Sequence, residues 1–289
     1  MTTAAQWLEG ARPRTLPAAV TPVLVGTGAA AQVDSLRPGR AVLALVVALA
    51  LQVGVNYAND YSDGIRGTDD DRVGPLRLVG GGHASAAAVL RAALLALGLA
   101  ALVGLALAAL TSWWVLLVGL AALAAAWGYT GGDRPYGYRG LGEVSVFVFF
   151  GLVAVLGTTF VQAERLTWTA LGGGTACGAL ACAILVTNNL RDIPTDTLAG
   201  KRTLAVVLGD RRSRVLYPAL LGVALLVPVL LAPAIPTALL ALLAAPLAFD
   251  PVMKVRGGVA GRDLVGVLAA TGRLQLAYGV LLALGLALD

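Results

Sequence analysis

The chain has 289 residues, of which 58% are hydrophobic and only 13% are charged, and its mean hydropathy is +0.83. Soluble domains contain about 45–50% apolar and about 25% charged residues, so this composition excludes a water-soluble globule. It also excludes disorder and a collagen-like chain, because the apolar content is high and the 36 glycines follow no G-X-Y period.

Nine apolar segments follow one another along the chain, and a membrane-crossing helix needs about 20 such residues. The predicted segments are residues 15–32, 41–58, 84–110, 113–130, 141–162, 167–190, 214–232, 235–249 and 266–288. The eighth is short and contains Pro236 and Pro246, so its crossing is the weakest of these predictions. Trp113, Trp114 and Trp168 lie at segment ends, where indole rings favour the headgroup region. We therefore expect a polytopic all-α membrane protein.

The basic residues indicate the orientation in the membrane. If the N-terminus is cytoplasmic, the outer segments contain only Arg37, Arg40 and Arg165 of the 21 Lys and Arg residues, while Arg91 lies within the third segment. The positive-inside rule then predicts a cytoplasmic N-terminus and, after nine crossings, an outside C-terminus in the cell membrane. This topology also accounts for the pI near 9.6, so the basic charge predicts no nucleic-acid partner.

A first acidic motif follows the second apolar segment and reads Asn59-Asp60-x-x-Asp63-x-x-x-Gly67-x-Asp69. On a helix, Asn59 and Asp63 are four residues apart and lie above one another, with Asp60 rotated by about 100°. Gly67 permits a turn that could bring Asp69 back toward the same point. The motif therefore predicts a cluster of carboxylate and amide oxygens.

A second acidic motif follows the sixth segment. Asn188, Asp192 and Asp196 form an i, i+4, i+8 stripe if the helix continues, although Pro194 favours a kink there. Both motifs are predicted to lie in loops, and these loops are four crossings apart, so they open on the same side of the membrane.

Two oxygen clusters that face each other across a cavity suit Mg²⁺, which keeps several waters and is usually shared with substrate phosphates. Basic residues flank both motifs: Arg72, Arg77, Arg191, Lys201 and Arg202. Acidic and basic groups together predict a site for Mg²⁺ and a diphosphate. The alternative is a set of solvated loop charges, which explains one cluster more easily than two and is the better explanation of Asp70 and Asp71.

The two motifs resemble those of the UbiA superfamily of intramembrane prenyltransferases, which has an NDxxDxxxGxD-like motif after its second helix and a DxxxD motif after its sixth. Three further runs are similar to the branch that prenylates 1,4-dihydroxy-2-naphthoate in menaquinone biosynthesis: Arg12 to Pro17, Asn56 to Arg77 and Tyr129 to Glu143. The resemblance implies about nine transmembrane helices around a central cavity open to the cytoplasmic side, two Mg²⁺ ions and a lipid-facing slot. It also implies transfer of a polyprenyl group from polyprenyl diphosphate with loss of CO₂.

On this hypothesis the site residues fall into groups. The catalytic candidates are Asp63, Asp192, Asp196 and Glu143, and the metal candidates are Asn59, Asp60, Asp63, Asp69, Asn188, Asp192 and Asp196. The flanking basic residues and Arg139 are the candidates for binding diphosphate. Arg139 could equally be one of the cytoplasmic charges that the positive-inside rule predicts. Tyr57, Tyr61 and Tyr129 could stabilise a carbocation or anchor at the interface. Glu143 could orient the acceptor hydroxyl or cap its helix.

The spacing of the motifs suggests a single domain, 1–289, with two similar four-helix units at about 15–130 and 141–249 and a final helix at 266–288. Two other functions stay open at this point. The same chemistry could act on 4-hydroxybenzoate or homogentisate, or the intramembrane acids could serve an ion-coupled transporter. The acids favour an enzyme, because none lies near the middle of a segment. Prenyl chain length and oligomeric state do not follow from the sequence.

Overall fold

The computed structural model describes residues 2–67 and 76–289, and within these ranges the chain forms helices and turns without a strand. Within the described residues, a short helix, α1 (Ala4–Gly10), precedes nine apolar helices. These are α2 (Pro17–Ala31), α3 (Pro38–Ile65), α4 (Ala86–Leu110), α5 (Trp114–Gly128), α6 (Gly142–Ala163), α7 (Trp168–Leu198), α8 (Leu204–Leu231), α9 (Pro236–Arg256) and α10 (Asp263–Ala287). The all-helical prediction is confirmed.

Seven of the helices in the described ranges, α3, α4 and α6 to α10, are long and apolar enough to cross a membrane. The helices α2 and α5 have 15 residues each and rise only about 22 Å, less than a hydrocarbon core of about 30 Å. The N-terminus of α2 follows a 3₁₀ turn, Pro13–Thr15, so the chain is helical for longer than α2 itself. Nine complete crossings therefore stay a prediction.

The two motif-bearing helices continue further than their apolar segments. Asp60 and Asp63 lie in the last turns of α3, and Asp192 and Asp196 lie in the last turns of α7. The prediction that these four acids lie in loops is wrong, because both helices continue beyond their apolar segments through the polar residues. Since α7 continues past Pro194 to Leu198, the condition for the i, i+4, i+8 stripe is met.

Neighbouring helices pack in chain order from α2 to α5 and from α6 to α10, and α10 packs back against α2. The most buried of the seven long helices is α7, which contacts α2, α6, α8 and α10. Its approach to α6 requires glycine: a Cβ at Gly151 would lie 2.5 Å from the Cα of Gly178. Gly151 belongs to a π-helical stretch, Phe147–Val153. This close packing positions the start of α6 against the motif half of α7, while the division into two four-helix units stays a prediction.

Candidate active site

A cavity of about 1080 Å³ extends between the helices, and both acidic motifs line it. Its polar end is lined by Asn59, Asp63, Arg77, Thr130, Tyr138, Asn188, Asn189, Arg191, Asp196, Lys201 and Thr203. The rest of the wall is mainly apolar and comes mostly from α2 to α6, with smaller contributions from the N-terminal segment, α7 and α10. Because Ala44 and Asp63 both line the cavity, it extends over about 28 Å of α3. The cavity can therefore hold a charged head at one end and a long apolar tail along its length.

Asp63 of the first motif contacts a lysine, a tyrosine and an arginine. Its Oδ1 accepts a hydrogen bond from Nζ of Lys201 at 2.9 Å and another from the hydroxyl of Tyr138. A guanidinium nitrogen of Arg77 lies 4.0 Å from Oδ2. The buried carboxylate thus sits among cationic and hydroxyl donors, as a group that stays charged away from water requires.

Asn59 lies one helical turn before Asp63 and is held by the segment that follows α5. Its Oδ1 accepts a hydrogen bond from the hydroxyl of Thr130 at 2.6 Å. The guanidinium of Arg66 donates to the carbonyl of Thr130 at 2.6 Å and to that of Gly132. These bonds fix the end of α3 against the connection between α5 and α6.

In the second motif, Arg191 binds both neighbouring acceptors. Its guanidinium donates to the two carboxylate oxygens of Asp192 at 2.7 and 2.8 Å and to Oδ1 of Asn188 at 2.8 Å. Asn188, Arg191 and Asp196 line the cavity, whereas Asp192 is buried beside it. Bidentate binding of a carboxylate by arginine is a geometry that a diphosphate can also use.

Lys201 connects the two motifs. Its backbone N–H donates to the carbonyl of Asp196 at 2.8 Å, and its ammonium reaches Asp63 across the cavity. The same ammonium lies 4.5 Å from the centre of the Tyr138 ring. Burial, and then the negative charge of Asp63, raise the pKa of Tyr138, so the phenol stays protonated and donates to that carboxylate. The motifs therefore face one another across a single charged pocket.

Asp60 differs from its neighbours in the motif. Its two carboxylate oxygens accept hydrogen bonds from the backbone N–H groups of Leu78 and Val79, at 2.8 and 2.9 Å. The residue is fully buried and is not among the described residues that line the cavity. The rotation of about 100° from Asn59 directs it away from the shared pocket, and it holds the backbone at Leu78 and Val79.

The remaining predicted residues are distributed around this pocket. Of the three tyrosines, Tyr129 lines the cavity, Tyr57 donates its hydroxyl to the carbonyl of Trp7 at 2.8 Å, and Tyr61 packs in the same cluster as Tyr57. Arg139 and Arg202 line a smaller cavity of about 370 Å³ beside Tyr138. The candidates Asp69 and Arg72 lie outside the described residues, as do Asp70 and Asp71.

Glu143 lies in the first turn of α6, and its Oε1 accepts a hydrogen bond from Nδ2 of Asn189 at 3.0 Å. Asn189, Tyr138 and Thr130 are site residues that the sequence analysis did not predict. A signal for Tyr138 was present, since it lies within the run from Tyr129 to Glu143. Asn189 follows Asn188 directly, but the motif spacing favours only one of the two.

The donor set fits a metal ion that is shared with a substrate. Within residues 2–67 and 76–289, no three His, Cys, Asp or Glu side chains are grouped closely enough to hold a metal by themselves. Mg²⁺ is commonly bound by one or two carboxylates together with water and substrate phosphates. The amide and carboxylate oxygens of Asn59, Asp63, Asn188 and Asp196 satisfy that requirement.

Comparison with known proteins points to one family. The UbiA prenyltransferase family matches residues 19–261. The 1,4-dihydroxy-2-naphthoate octaprenyltransferase of Mycobacterium tuberculosis is 55% identical over 287 residues, which cover 99% of this chain and 98% of that protein. The Escherichia coli enzyme of the same name is 43% identical over 74% of this chain and 72% of its own length.

The fold is similar to that of a solved archaeal protein. The UbiA homolog from Archaeoglobus fulgidus bound to DMAPP and Mg²⁺ superposes with a TM-score of 0.68 at 17% identity, covering 96% of this chain and 99% of the other. At this identity the likeness concerns the fold alone.

Proposed function

The chain belongs to the UbiA prenyltransferase family, and on this premise we propose that it transfers a polyprenyl group from polyprenyl diphosphate to 1,4-dihydroxy-2-naphthoate. CO₂ is lost, and the product is demethylmenaquinol in menaquinone biosynthesis. The protein is a multi-pass membrane enzyme. One observation carries the proposal: both acidic motifs line the charged end of a single cavity whose remaining wall is mainly apolar. Relatives that are named for this reaction and match almost the whole chain support the choice of acceptor.

We infer that Mg²⁺ binds between the motifs, with Asn59 and Asp63 on one side and Asn188 and Asp196 on the other. A solved protein of the same fold is bound to DMAPP and Mg²⁺. Two ions, one for each motif, are part of this proposal. Bound Mg²⁺ supplies positive charge to the diphosphate leaving group. Asp192 stays a predicted ligand, with both oxygens bonded to Arg191.

The side chains of this protein serve the other needs of the reaction. Breaking an allylic C–O bond leaves a carbocation and a diphosphate, so the leaving charge must be stabilised and water must be excluded. Arg77, Arg191 and Lys201 line the charged end, where they can bind diphosphate oxygens. The ring of Tyr129, on the same wall, offers an aromatic face to the carbocation. The apolar wall binds the prenyl tail and excludes water.

We infer a cytoplasmic N-terminus and an outside C-terminus, since the basic residues concentrate on the inner segments under nine crossings. The charged end of the cavity then opens toward the cytoplasm. Arg139 and Arg202 lie beside this end, where they can attract anionic substrates.

The test is a reconstituted reaction. Purified protein with Mg²⁺, a polyprenyl diphosphate and carboxyl-labelled dihydroxynaphthoate should form a lipid-soluble product and release one labelled CO₂ per product, and EDTA should abolish both. Equal amounts of 4-hydroxybenzoate and homogentisate should give little product. Preference for either would assign the same chemistry to another acceptor. Substrate-dependent ion flux in proteoliposomes with no product would instead support a transporter.

A second prediction concerns the length of the prenyl tail. Gly157 lines the cavity about 22 Å along α6 from Gly142, and a Cβ there would meet nothing within 4 Å. Gly157→Phe should therefore fill the far end of the cavity. We expect kcat/KM for long polyprenyl diphosphates to fall by about tenfold or more, while geranyl diphosphate is used within about twofold of wild type.

The matched control is Gly222→Phe on α8. A Cβ at Gly222 also meets nothing within 4 Å, but this residue is not among the described residues that line the cavity. The Gly222→Phe variant should therefore show the same preference for prenyl chain length as wild type. An equal loss with short and long diphosphates in Gly157→Phe would contradict the placement of the tail.

A further inference from the structure

The carboxylate of Glu143 is buried beside the cavity wall with half of its hydrogen-bonding capacity unused. The residue is 7% exposed, and its Oε2 is buried without a partner among the described residues. A buried acceptor without a donor is costly and rare, so its presence needs an explanation beyond packing. Its other oxygen, Oε1, accepts from Asn189, which does line the cavity.

This bond fixes which way the amide of Asn189 points. A carboxylate oxygen accepts hydrogen bonds, so the nitrogen of the amide faces Glu143 and Oδ1 is turned away from it. Within the described part of the chain, Oδ1 makes no hydrogen bond. Asn189 therefore presents a free acceptor oxygen at the cavity wall, oriented by a residue of the neighbouring helix.

Asn189 is directed differently from its neighbour Asn188. Adjacent residues on a helix are rotated by about 100°, and Asn188 bonds to Arg191 of its own helix whereas Asn189 bonds to α6. The proposed metal and diphosphate site therefore uses Asn188, and Asn189 belongs to the adjoining wall.

That adjoining wall suits an aromatic ring. A Cβ at Gly142 would lie 3.2 Å from the hydroxyl of Tyr129 and 3.5 Å from Cδ2 of Leu185, so both side chains lie beside the start of α6. Tyr129 and Leu185 also line the cavity. The hydroxyl of Tyr129 can donate a hydrogen bond. The wall thus combines an aromatic face, a donor and the acceptor oxygen of Asn189.

We propose that Asn189, oriented by Glu143, accepts a hydrogen bond from a free hydroxyl of the aromatic acceptor and so selects hydroxylated rings. This inference rests on the proposed function and adds to it the group that recognises the acceptor. Asn189 is the binding residue, and Glu143 is a positioning residue that acts through it.

The test separates recognition of the acceptor from recognition of the diphosphate. Asn189→Leu removes the acceptor oxygen at similar volume, and Glu143→Gln lets the amide of Asn189 turn. In both variants we expect the KM for dihydroxynaphthoate to rise, by about tenfold for Asn189→Leu. The KM for polyprenyl diphosphate and the Mg²⁺ requirement should stay within about twofold of wild type. The matched control is Thr187→Val, because the hydroxyl of Thr187 donates to the carbonyl of Ala183 one turn earlier in α7.

A second measurement uses a mono-O-methyl ether of the acceptor. Wild type should discriminate against the ether that lacks the recognised hydroxyl, and Asn189→Leu should lose most of that discrimination. An unchanged acceptor KM in folded Asn189→Leu and Glu143→Gln protein, or an equal rise in both substrate KM values, would overturn the inference. A wild-type protein that forms no product from any aromatic acceptor would overturn the proposed function instead.

Discussion

Replacing Asp63 with asparagine is expected to lower kcat by at least about 100-fold while the protein stays folded. Loss of residues that merely support metal ligands typically costs 10–100-fold, so loss of a ligand should cost more. Asp63 contacts Lys201 and Tyr138 and lines the charged end of the cavity, so its negative charge acts on every group there. Steady-state kinetics over a range of Mg²⁺ concentrations measures the effect, and half-maximal rate should require more Mg²⁺ than in wild type.

The control for this substitution is Asp250→Asn. Asp250 is an exposed acid that pairs with Lys254 at 2.9 Å one turn along α9, far from both motifs in sequence. Its removal should change neither kcat nor the Mg²⁺ requirement, because an exposed i,i+4 pair contributes only a few tenths of a kcal/mol. Full activity of Asp63→Asn at wild-type Mg²⁺ concentrations would refute the proposed metal site.

The sequence predicts the apolar helices and the two motifs well, because both depend on local patterns. The observed α4, α5 and α6 begin and end within two residues of the predicted segments. The predicted segments 41–58 and 167–190 end before α3 and α7 do. Apolar content marks only the part of a helix in the bilayer core, whereas the helix itself continues as long as its polar side chains find partners. In α7, Arg191 is such a partner for Asn188 and Asp192. A hydropathy pattern carries no information about these side-chain bonds.

The chemical roles within the motif depend on tertiary structure. Asp60 and Asp63 are both acids near the end of one helix, and the sequence rotates Asp60 by about 100° from Asn59 without showing which groups it meets. The difference arises because the N–H groups of Leu78 and Val79 bond to Asp60, which the sequence spacing does not show. Likewise, Tyr138 reaches Asp63 only through the fold of the connection between α5 and α6.

This difference predicts that the neighbouring substitution, Asp60→Asn, acts on stability and not on the metal. An asparagine can accept one of the two backbone bonds, but its amide nitrogen would then face the second N–H group. Leaving a buried donor unsatisfied costs about 1–3 kcal/mol, which in a protein of this size lowers Tm by about 2–4 °C per kcal/mol. Thermal unfolding of Asp60→Asn in detergent should show this loss relative to wild type.

Activity measurements on the same pair complete the comparison. At a temperature where Asp60→Asn is folded, we expect its Mg²⁺ concentration for half-maximal rate to match wild type, since both oxygens of Asp60 bond to the backbone. Its kcat should exceed that of Asp63→Asn by at least about tenfold. The opposite pattern, an unchanged Tm with a raised Mg²⁺ requirement, would make Asp60 a metal ligand. Two acids three residues apart on one helix would then share one role, and the bonds to Leu78 and Val79 would have to break when the metal binds.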